Sequence, residues 1–219
     1  MRRAVKHLRR EQLIEATISV IARRGFARTT LALVAKEAKL SQGIVSFYFK
    51  SKDGLLFETL SHLAAEYEAT WKRAVRCVGP DPVAALDAVI EVDLGLEVCV
   101  RKKVAVWVAF WAEAPARPKY RKLCKELSAD YFAQTRDMCR RIAERGGYAD
   151  ADPDNAARGL NAMIDGYWVE LMMDPRAFDR ARAKQACRQL LAGVFPAEFG
   201  PLMRGVDMSG ASCGNLTEA

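Results

Sequence analysis

The sequence predicts an all-α protein of about nine helices. Apolar residues recur three and four positions apart along most of the 219 residues, which is the spacing of one helical face. The runs are separated by breaks that contain Gly and Pro, the clearest being Gly-Pro-Asp-Pro at 79–82. No segment has a convincing strand pattern. Because 51% of the residues are hydrophobic, the chain can bury a sizeable core in one or two domains.

The segment from Thr29 to Lys52 predicts two short helices joined by a tight turn. Thr29 or Thr30 can cap the first helix and Ser41 the second, because a hydroxyl oxygen can accept from a free amide of the first turn. Apolar residues of each helix face inward, so the second helix directs five residues outward: Gln42, Gly43, Ser46, Phe47 and Tyr48. This is the layout of a helix-turn-helix, whose second helix enters a major groove.

The outward side chains of this segment are expected to meet DNA. Gln42 and Ser46 are candidate readers of base edges, since a Gln amide can pair bidentately with adenine. Gly43 allows a close approach, and Phe47 is expected either to meet a thymine methyl or sugar or to pack within the domain. Phosphate oxygens would be met at the helix ends and the exposed face, where a helix N-terminus adds free amides, by Thr29, Thr30, Tyr48, Lys50 and Lys52. Ser41 is a further candidate DNA contact.

The positive charge of the chain is confined to the same region. The net charge is +7, and residues 1–52 contain 12 Lys and Arg against 3 Asp and Glu, whereas the other residues contain 22 against 24. A basic patch restricted to one module is typical of a polyanion binder. The expected partner is therefore double-stranded operator DNA.

Long helical patterns lie on both sides of the helix-turn-helix. A first helix is expected over 9–24, a fourth over about 52–76, and five more over 83–98, 100–114, 119–145, 153–173 and 179–195. We expect a DNA-binding domain over 1–52, a helical ligand-binding and dimerisation domain over 53–196, and a flexible tail over 197–219. The basic residues 1–10 are expected to be a frayed end or an arm that touches DNA.

Several classes of protein do not fit the sequence. The six cysteines form no CxxC pair and lie far from both histidines, so no metal or disulfide framework and no cofactor is expected. No HExxH, GxSxG or P-loop motif is present, which disfavours an enzyme. There is no apolar run of transmembrane length and no signal-peptide core, so a cytoplasmic protein is expected.

Two aromatic groups in the second half of the chain are candidates for holding a ligand. One contains Trp107, Phe110 and Trp111, followed by Glu113, and the other contains Asp165, Tyr167 and Trp168. Aromatic faces with a carboxylate can hold a quaternary ammonium through cation–π attraction. Such a stripe can equally be part of a helical core, and periodicity alone does not separate these interpretations.

The helix-turn-helix segment resembles the TetR-type transcriptional repressors. The resemblance lies in an ordered set of residues: Gly25, Phe26, Thr29, Thr30, Val34, Ala35, Ala38, Leu40, Ser41, Gly43, Val45, Tyr48, Phe49, Lys52, Leu55 and Leu56. It implies a homodimer formed through the last two helices, with two DNA-binding domains on half-sites spaced by ~34–36 Å or a multiple of it. It also implies that the helix over 53–76 carries a signal between effector and DNA.

Four segments resemble the choline-responsive subgroup of that family (BetI type), which represses glycine-betaine synthesis genes. They are QLIEAT (12–17), SQGIVSFYF (41–49), WVAFWAEA (107–114) and AMIDGYW (162–168). This resemblance implies choline or a related trimethylammonium compound as effector. The alternative is a TetR-type regulator of drug-efflux or acyl-lipid genes, whose pocket would also be aromatic and apolar. Ser46 and Phe47 depart from the pattern of the family and the subgroup, respectively.

Overall fold

The structure is a computed structural model that describes residues 2–203, and within them it is entirely helical. This confirms the all-α class, with ten α-helices in the described residues instead of about nine. A single 3-10 turn, Ala114–Ala116, lies between α6 and α7. The helices are α1 (Arg2–Arg24), α2 (Leu31–Glu37), α3 (Gln42–Tyr48), α4 (Lys52–Cys77), α5 (Pro82–Asp93), α6 (Arg101–Glu113), α7 (Pro118–Gly146), α8 (Pro153–Met173), α9 (Arg180–Val194) and α10 (Pro196–Met203).

The chain divides into two compact units. The first contains the described residues up to Tyr67 together with Val100–Leu127, and the second contains Glu68–Cys99 together with the described residues from Ser128 onward. The long helices α4 and α7 each contribute to both units. The predicted functional boundaries at residues 52 and 196 stay predictions.

In the first unit, α1 packs against α2 and α6, and α2 packs against α3. Both short helices begin at hydroxyl caps, since Thr30 Oγ1 accepts from Leu33 N at 3.2 Å and Ser41 Oγ accepts from Ile44 N at 3.4 Å. These caps satisfy amides that have no partner inside the helix. The core of the unit is apolar and includes Leu13, Ile14, Ile18, Val34, Val45, Leu55, Leu56, Leu60, Val104 and Phe110.

In the second unit, α9 packs against α5, α8 and α10. The helices α5, α8 and α9 begin at Asp81, Asp152 and Asp179, whose carboxylates each accept from a backbone amide of the first turn. Ion pairs join α9 to α5, because Arg188 binds Asp87 with Nε–Oδ1 at 2.6 Å and also binds Glu91. Buried apolar side chains fill the space between these helices: Leu86, Val89, Ile90, Ile142, Leu160, Ile164, Leu191, Phe195 and Phe199.

Three predicted boundaries were wrong. The first helix begins at Arg2 instead of residue 9, so residues 2–10 continue α1. Helix α5 ends at Asp93 instead of 98, and Gly95 lies in the following turn, where a Cβ would approach Glu91 O to 2.5 Å. Residues 197–203 of the predicted tail belong to α10, which begins at Pro196, because Pro fits the first turn of a helix and the ring of Phe199 is fully buried. The rest of that tail prediction falls on 204–219, outside the described residues.

None of the helices between residues 2 and 203 combines the length and the apolar character that crossing a bilayer requires. Within the same residues, no group of three or more His, Cys, Asp and Glu is arranged to hold a metal ion.

Candidate functional site

The turn between α2 and α3 positions the predicted recognition helix. Lys39 adopts a left-handed conformation with φ of 54°, and Leu40 N donates to Ala35 O at 2.9 Å, which closes the turn. Val34 and Val45 are both 0% exposed, so the inner faces of α2 and α3 are the apolar faces that the spacing predicts. The opposite face of α3 is therefore left for solvent.

The exposed face of α3 contains the predicted base-reading residues. Gln42, Gly43 and Ser46 are exposed, and Tyr48 is half-buried. A Cβ built on Gly43 would meet only Ser41 Oγ, at 3.9 Å, so the surface beside this glycine is open. The geometry therefore allows the backbone of the first turn of α3 to approach a ligand closely.

Phe47 is an apolar side chain on this polar surface. It is 76% exposed, and its ring contacts the Tyr48 ring edge-on with centroids 5.4 Å apart. Ile44, one turn earlier on α3, is 36% exposed. Of the two predicted roles of Phe47, the exposure favours an outward contact over packing within the domain. Sequence reasoning missed Ile44, although its spacing of three from Phe47 is a signal that could have found it.

The residues predicted to meet phosphate are not equivalent in the structure. Lys50 and Thr30 are exposed, and the Thr30 hydroxyl is the cap of α2. Lys52 is half-buried, and its Nζ donates to Ala27 O at 2.9 Å and lies 5.9 Å from the centre of the Phe26 ring. Lys52 therefore fastens the loop before α2 to the start of α4.

Thr29 requires a correction. It is 1% exposed, and its hydroxyl donates to Gly25 O at 2.9 Å. A side chain that is buried and already hydrogen-bonded cannot reach a phosphate in this arrangement. Thr29 is therefore a structural residue that closes the end of α1, and Thr30 is the residue that caps α2.

A charged cluster follows the helix-turn-helix at the start of α4. Asp53 accepts hydrogen bonds from Lys119 Nζ, from Tyr120 Oη at 2.7 Å and from Arg117 Nη1 at 3.3 Å. The hydrogen bond from Lys119 is the main reason that the pKa of Asp53 is lowered. Burial, followed by the hydrogen bond to Asp53, raises the pKa of Tyr120. This cluster joins α4 to the start of α7.

The first predicted ligand group lies in the first compact unit, and its members have different surroundings. Phe110 is 0% exposed and packs edge-on against Phe26, with ring centroids 5.4 Å apart, which makes it part of the core. Trp107 is buried between Tyr67 and Trp111, with ring centroids at 6.2 Å and 6.5 Å. Glu113 accepts from Arg117 Nε at 2.9 Å.

The second predicted group lies in the second compact unit. Trp168 is buried, and its Nε1 donates to the backbone oxygen of Asp93 at 2.8 Å. Tyr167 is half-buried and contacts Phe178 edge-on. Asp165 is exposed, although nearby protein limits the hydration of its carboxyl and raises its pKa to about 6. Asp165 lies on the outer face of α8, where its surface is open to solvent.

Three residues beside Trp168 were missed by sequence reasoning. Asp93, a carboxylate at the end of α5, is 0% exposed and accepts from the hydroxyl of Tyr131. The Tyr131 ring packs edge-on against Trp71, with centroids 5.8 Å apart and planes at 90°. The four residues come from α4, α5, α7 and α8, so no spacing in the sequence connects them. Only the charge of Asp93 within an otherwise apolar helical face could have drawn attention to it.

The geometry of α2 and α3, in a chain that is helical throughout residues 2–203, defines the class of a helix-turn-helix DNA-binding protein. Residues 13–59 match the family model for bacterial regulatory proteins of the tetR family, and residues 82–196 match that of the BetI-type transcriptional repressor C-terminal domain. The chain belongs to the TetR family of transcriptional regulators. Within that family it is a BetI-type repressor, because the second match spans more than half of the chain.

Individual relatives agree with this assignment. The HTH-type transcriptional regulator BetI of Paraburkholderia xenovorans (strain LB400) is 35% identical over 183 residues, which covers 82% of this chain and 89% of that protein. The crystal structure of a transcriptional regulator from Pseudomonas aeruginosa PAO1 has a TM-score of 0.76 at 25% identity and covers 89% of this chain and 94% of its own. A regulator from Saccharomonospora viridis, crystallised in complex with choline, has a TM-score of 0.72 and covers 83% of this chain and 94% of its own. At 24% identity, it shows the shared fold alone.

The family assignment decides between the predicted classes. Members of the TetR family are ligand-responsive, sequence-specific DNA-binding regulators, so this chain is a transcriptional repressor and not an enzyme. The roles predicted for individual DNA-contacting and ligand-contacting residues stay predictions, apart from the correction at Thr29.

Proposed function

We propose that this protein represses genes of choline and glycine-betaine metabolism and responds to choline or a closely related quaternary ammonium compound. The observation that carries the proposal is the BetI-type match over residues 82–196, because this is the part of a TetR-type chain in which effector specificity resides. The choline-bound structure from Saccharomonospora viridis supports the same effector class through its shared fold.

The proposed DNA contacts follow from the exposed face of α3. Gln42 and Ser46 read base edges, Phe47 meets a thymine methyl, and Gly43 lets the helix approach. Phosphates are met around this face by the exposed Thr30, Ser41 and Lys50, by the half-buried Tyr48, and by exposed basic residues of α1 such as Lys6 and Arg9. Because phosphate contacts release counterions, operator affinity should fall steeply as salt rises.

The protein is proposed to act as a homodimer through α8 and α9. The inner face of α8 is used within the chain, since Leu160, Ile164 and Trp168 are all buried. The outer face presents small and apolar residues at helical spacing, all of them exposed: Ala162, Gly166, Val169 and Met173. The broad apolar stripe of α8 thus consists of two faces, of which the outer one fits a second copy of this chain.

The effector acts by linkage between two arrangements of the dimer. A ligand that binds one arrangement more tightly than the other shifts the population toward it, and a ligand without this preference shifts nothing. The dimer places two helix-turn-helix domains on one operator, so a change in their separation changes operator affinity. In this proposal, choline stabilises the arrangement that represses less.

In vitro transcription from the promoter next to the gene of this protein tests the proposal. Purified protein should reduce the transcript, and choline should restore it. Tetramethylammonium should act in the same direction, since it has the same cationic group. Acyl-CoA and a cationic dye are tested in parallel, because they represent the acyl-lipid and drug-efflux alternatives.

The matched control is 3,3-dimethylbutan-1-ol, which has the shape of choline without its charge. Its failure to restore transcription, together with restoration by choline, supports a quaternary ammonium sensor. Restoration by acyl-CoA or the dye, with no response to choline, would refute the assignment to betaine metabolism.

A further inference from the structure

We infer that the quaternary ammonium group binds at a cluster of Trp71, Asp93, Tyr131 and Trp168, here named the Asp93 cluster. This inference rests on the proposed function, because it specifies where the proposed effector binds. All four residues belong to the second compact unit. Three of them lie outside both groups of residues that the sequence pattern singles out.

The first argument is the chemistry of the cluster. It combines a carboxylate that is 0% exposed with three aromatic side chains that are each at most 8% exposed. A quaternary ammonium has no N–H to donate, so it is held by π faces and by a nearby negative charge. The rings of Trp71 and Tyr131 stand at 90° to each other, so they can form two walls of one corner.

The second argument is that Asp93 is held firmly in place. The hydroxyl of Tyr131 donates to one carboxylate oxygen, and the indole N–H of Trp168 donates to the backbone oxygen at 2.8 Å. The turn that follows is fixed by Arg180, whose guanidinium donates to Leu94 O, to Gly95 O and, at 2.9 Å, to Cys99 O. A charge held in a fixed position needs little reorganisation when a cation arrives.

Two cysteine thiols feel the charge of Asp93. Burial raises the pKa of the Cys99 thiol, and it raises that of Cys187 to about 12, with the charge of Asp93 adding to both effects. Both thiols therefore stay neutral at physiological pH. Neither thiol therefore competes with Asp93 for a cation.

The third argument is that the buried indole N–H of Trp71 has no hydrogen-bond acceptor among the described residues. Trp71 is 2% exposed, and its Nε1 has no hydrogen-bond partner among the described residues. Leaving a buried N–H without an acceptor is unfavourable. Choline has a hydroxyl oxygen two carbons from its nitrogen, which can accept from this N–H while the ammonium group meets the rings. The cluster therefore fits a cation that also contains an oxygen acceptor.

Trp71 already attracts a cation within the chain. Lys72 Nζ lies 5.2 Å from the centre of the Trp71 ring and forms ion pairs with Glu68 and Asp130. This lysine can occupy only one face of the indole. The Tyr131 ring meets Trp71 edge-on, and the indole N–H of Trp71 has no hydrogen-bond partner among the described residues.

Calorimetric titration of the full-length protein tests the inference with three probes: choline, tetramethylammonium and 3,3-dimethylbutan-1-ol. The wild-type protein should bind both cations, and the uncharged alcohol should bind at least about tenfold more weakly. Trp71→Phe keeps an aromatic ring but removes the N–H. It should lower the ratio of choline affinity to tetramethylammonium affinity by about tenfold, because only choline uses the N–H.

Two further variants complete the test. Asp93→Asn should weaken the binding of both cations by about tenfold or more, since the negative charge is lost. Trp111→Phe makes the same chemical change as Trp71→Phe in the other predicted aromatic group, and choline affinity should stay within about twofold. Circular dichroism establishes that each variant is folded. If Asp93→Asn fails to fold, the affinity ratio of Trp71→Phe decides whether the cation binds at the Asp93 cluster.

The outcomes separate the two proposals. If the wild-type protein binds neither cation, the proposed function fails and the Asp93 cluster loses its ligand. If the wild-type protein binds choline and Trp71→Phe leaves the affinity ratio unchanged, the location is wrong although the effector is right. Loss of choline binding in Trp111→Phe alone would move the site to the group around Trp107.

Discussion

At the scale of single residues, Phe47 distinguishes this helix-turn-helix surface. Its ring is 76% exposed on a helix whose other outward residues are mainly small or polar. Exposing a large apolar side chain is unfavourable in water, and contact with a thymine methyl would remove that cost. Phe47 is therefore the best candidate on α3 for an apolar contribution to operator choice.

A double-mutant cycle that combines a substitution of Phe47 with a change in the operator DNA tests this role of Phe47. Phe47→Ala should weaken operator binding by about five- to tenfold, and replacing the contacted thymine with uracil, which lacks the methyl, should weaken wild-type binding similarly. The two changes together should cost no more than either one alone, because both remove the same contact. Fluorescence anisotropy with labelled duplexes measures the four affinities.

Lys50→Ala is the matched control for this cycle. Lys50 is exposed beside the same surface, and its loss should weaken the binding of thymine- and uracil-containing duplexes by the same factor. Equal penalties from uracil in the wild-type protein and in Phe47→Ala would contradict a contact between Phe47 and a methyl group.

At the scale of elements, the sequence predicts the helix-turn-helix well because its signals are local. The caps at Thr30 and Ser41 and the buried Val34 and Val45 lie within a stretch of sixteen residues, and the spacing alone defines the inner face. The sequence could not distinguish Thr29 from Thr30 because two adjacent threonines offer the same hydroxyl, and the structure shows that Thr30 caps α2.

The effector site could not be predicted in the same way. Trp71, Asp93, Tyr131 and Trp168 belong to four helices, and the packing that brings them together depends on contacts among distant parts of the chain. The sequence-based candidates followed the spacing along single helices. That approach included Trp168, a member of the proposed Asp93 cluster, and also Phe110, whose ring is fully buried in the core of the first unit.

The first turn of α4 offers a test of pH dependence. The pKa of Asp53 is lowered in the folded state, mainly by its hydrogen bond from Lys119. A lowered carboxyl pKa stabilises the folded state above the unfolded pKa of about 4, and this contribution is lost as pH falls through the folded value. Asp53→Asn should therefore lower the melting temperature at pH 7 but not near pH 2.

The size of this effect is limited by exposure. The side chain of Asp53 is 43% exposed, so solvent screens its ion pairs and the loss should not exceed about 1 kcal/mol, or about 2–4 °C in melting temperature. Circular dichroism melts at several pH values measure it. Asp137→Asn, which removes an exposed partner of Arg140 on α7, is the control and should follow the wild-type curve. A difference that persisted at low pH would exclude the charge of Asp53 as its cause.

At the scale of the whole molecule, the outer face of α8 should determine assembly. Val169 is 46% exposed and Met173 81% exposed, one turn apart on this helix. Replacing both with Glu places four like charges across a two-fold interface, which should yield a monomer in light scattering after size-exclusion chromatography. Operator affinity should fall by about a hundredfold or more, because a monomer binds the operator through one helix-turn-helix domain instead of two.

Ala133→Glu provides the comparison for this variant. Ala133 is exposed on α7, away from α8 and α9 in sequence, and a carboxylate there should leave the molar mass and operator affinity unchanged. A dimer that persisted in the Val169→Glu, Met173→Glu variant would show that another surface joins the two chains.

Lys52 and Asp53 attach the first turn of α4 to other parts of the first compact unit. These neighbours hold opposite sides of the first turn of α4: one is bonded to the loop at Ala27, and the other to Arg117, Lys119 and Tyr120. The recognition helix is joined to this fixed turn by only three residues, 49–51. We expect a shift of the first turn of α4 to be passed to the recognition helix across this short link.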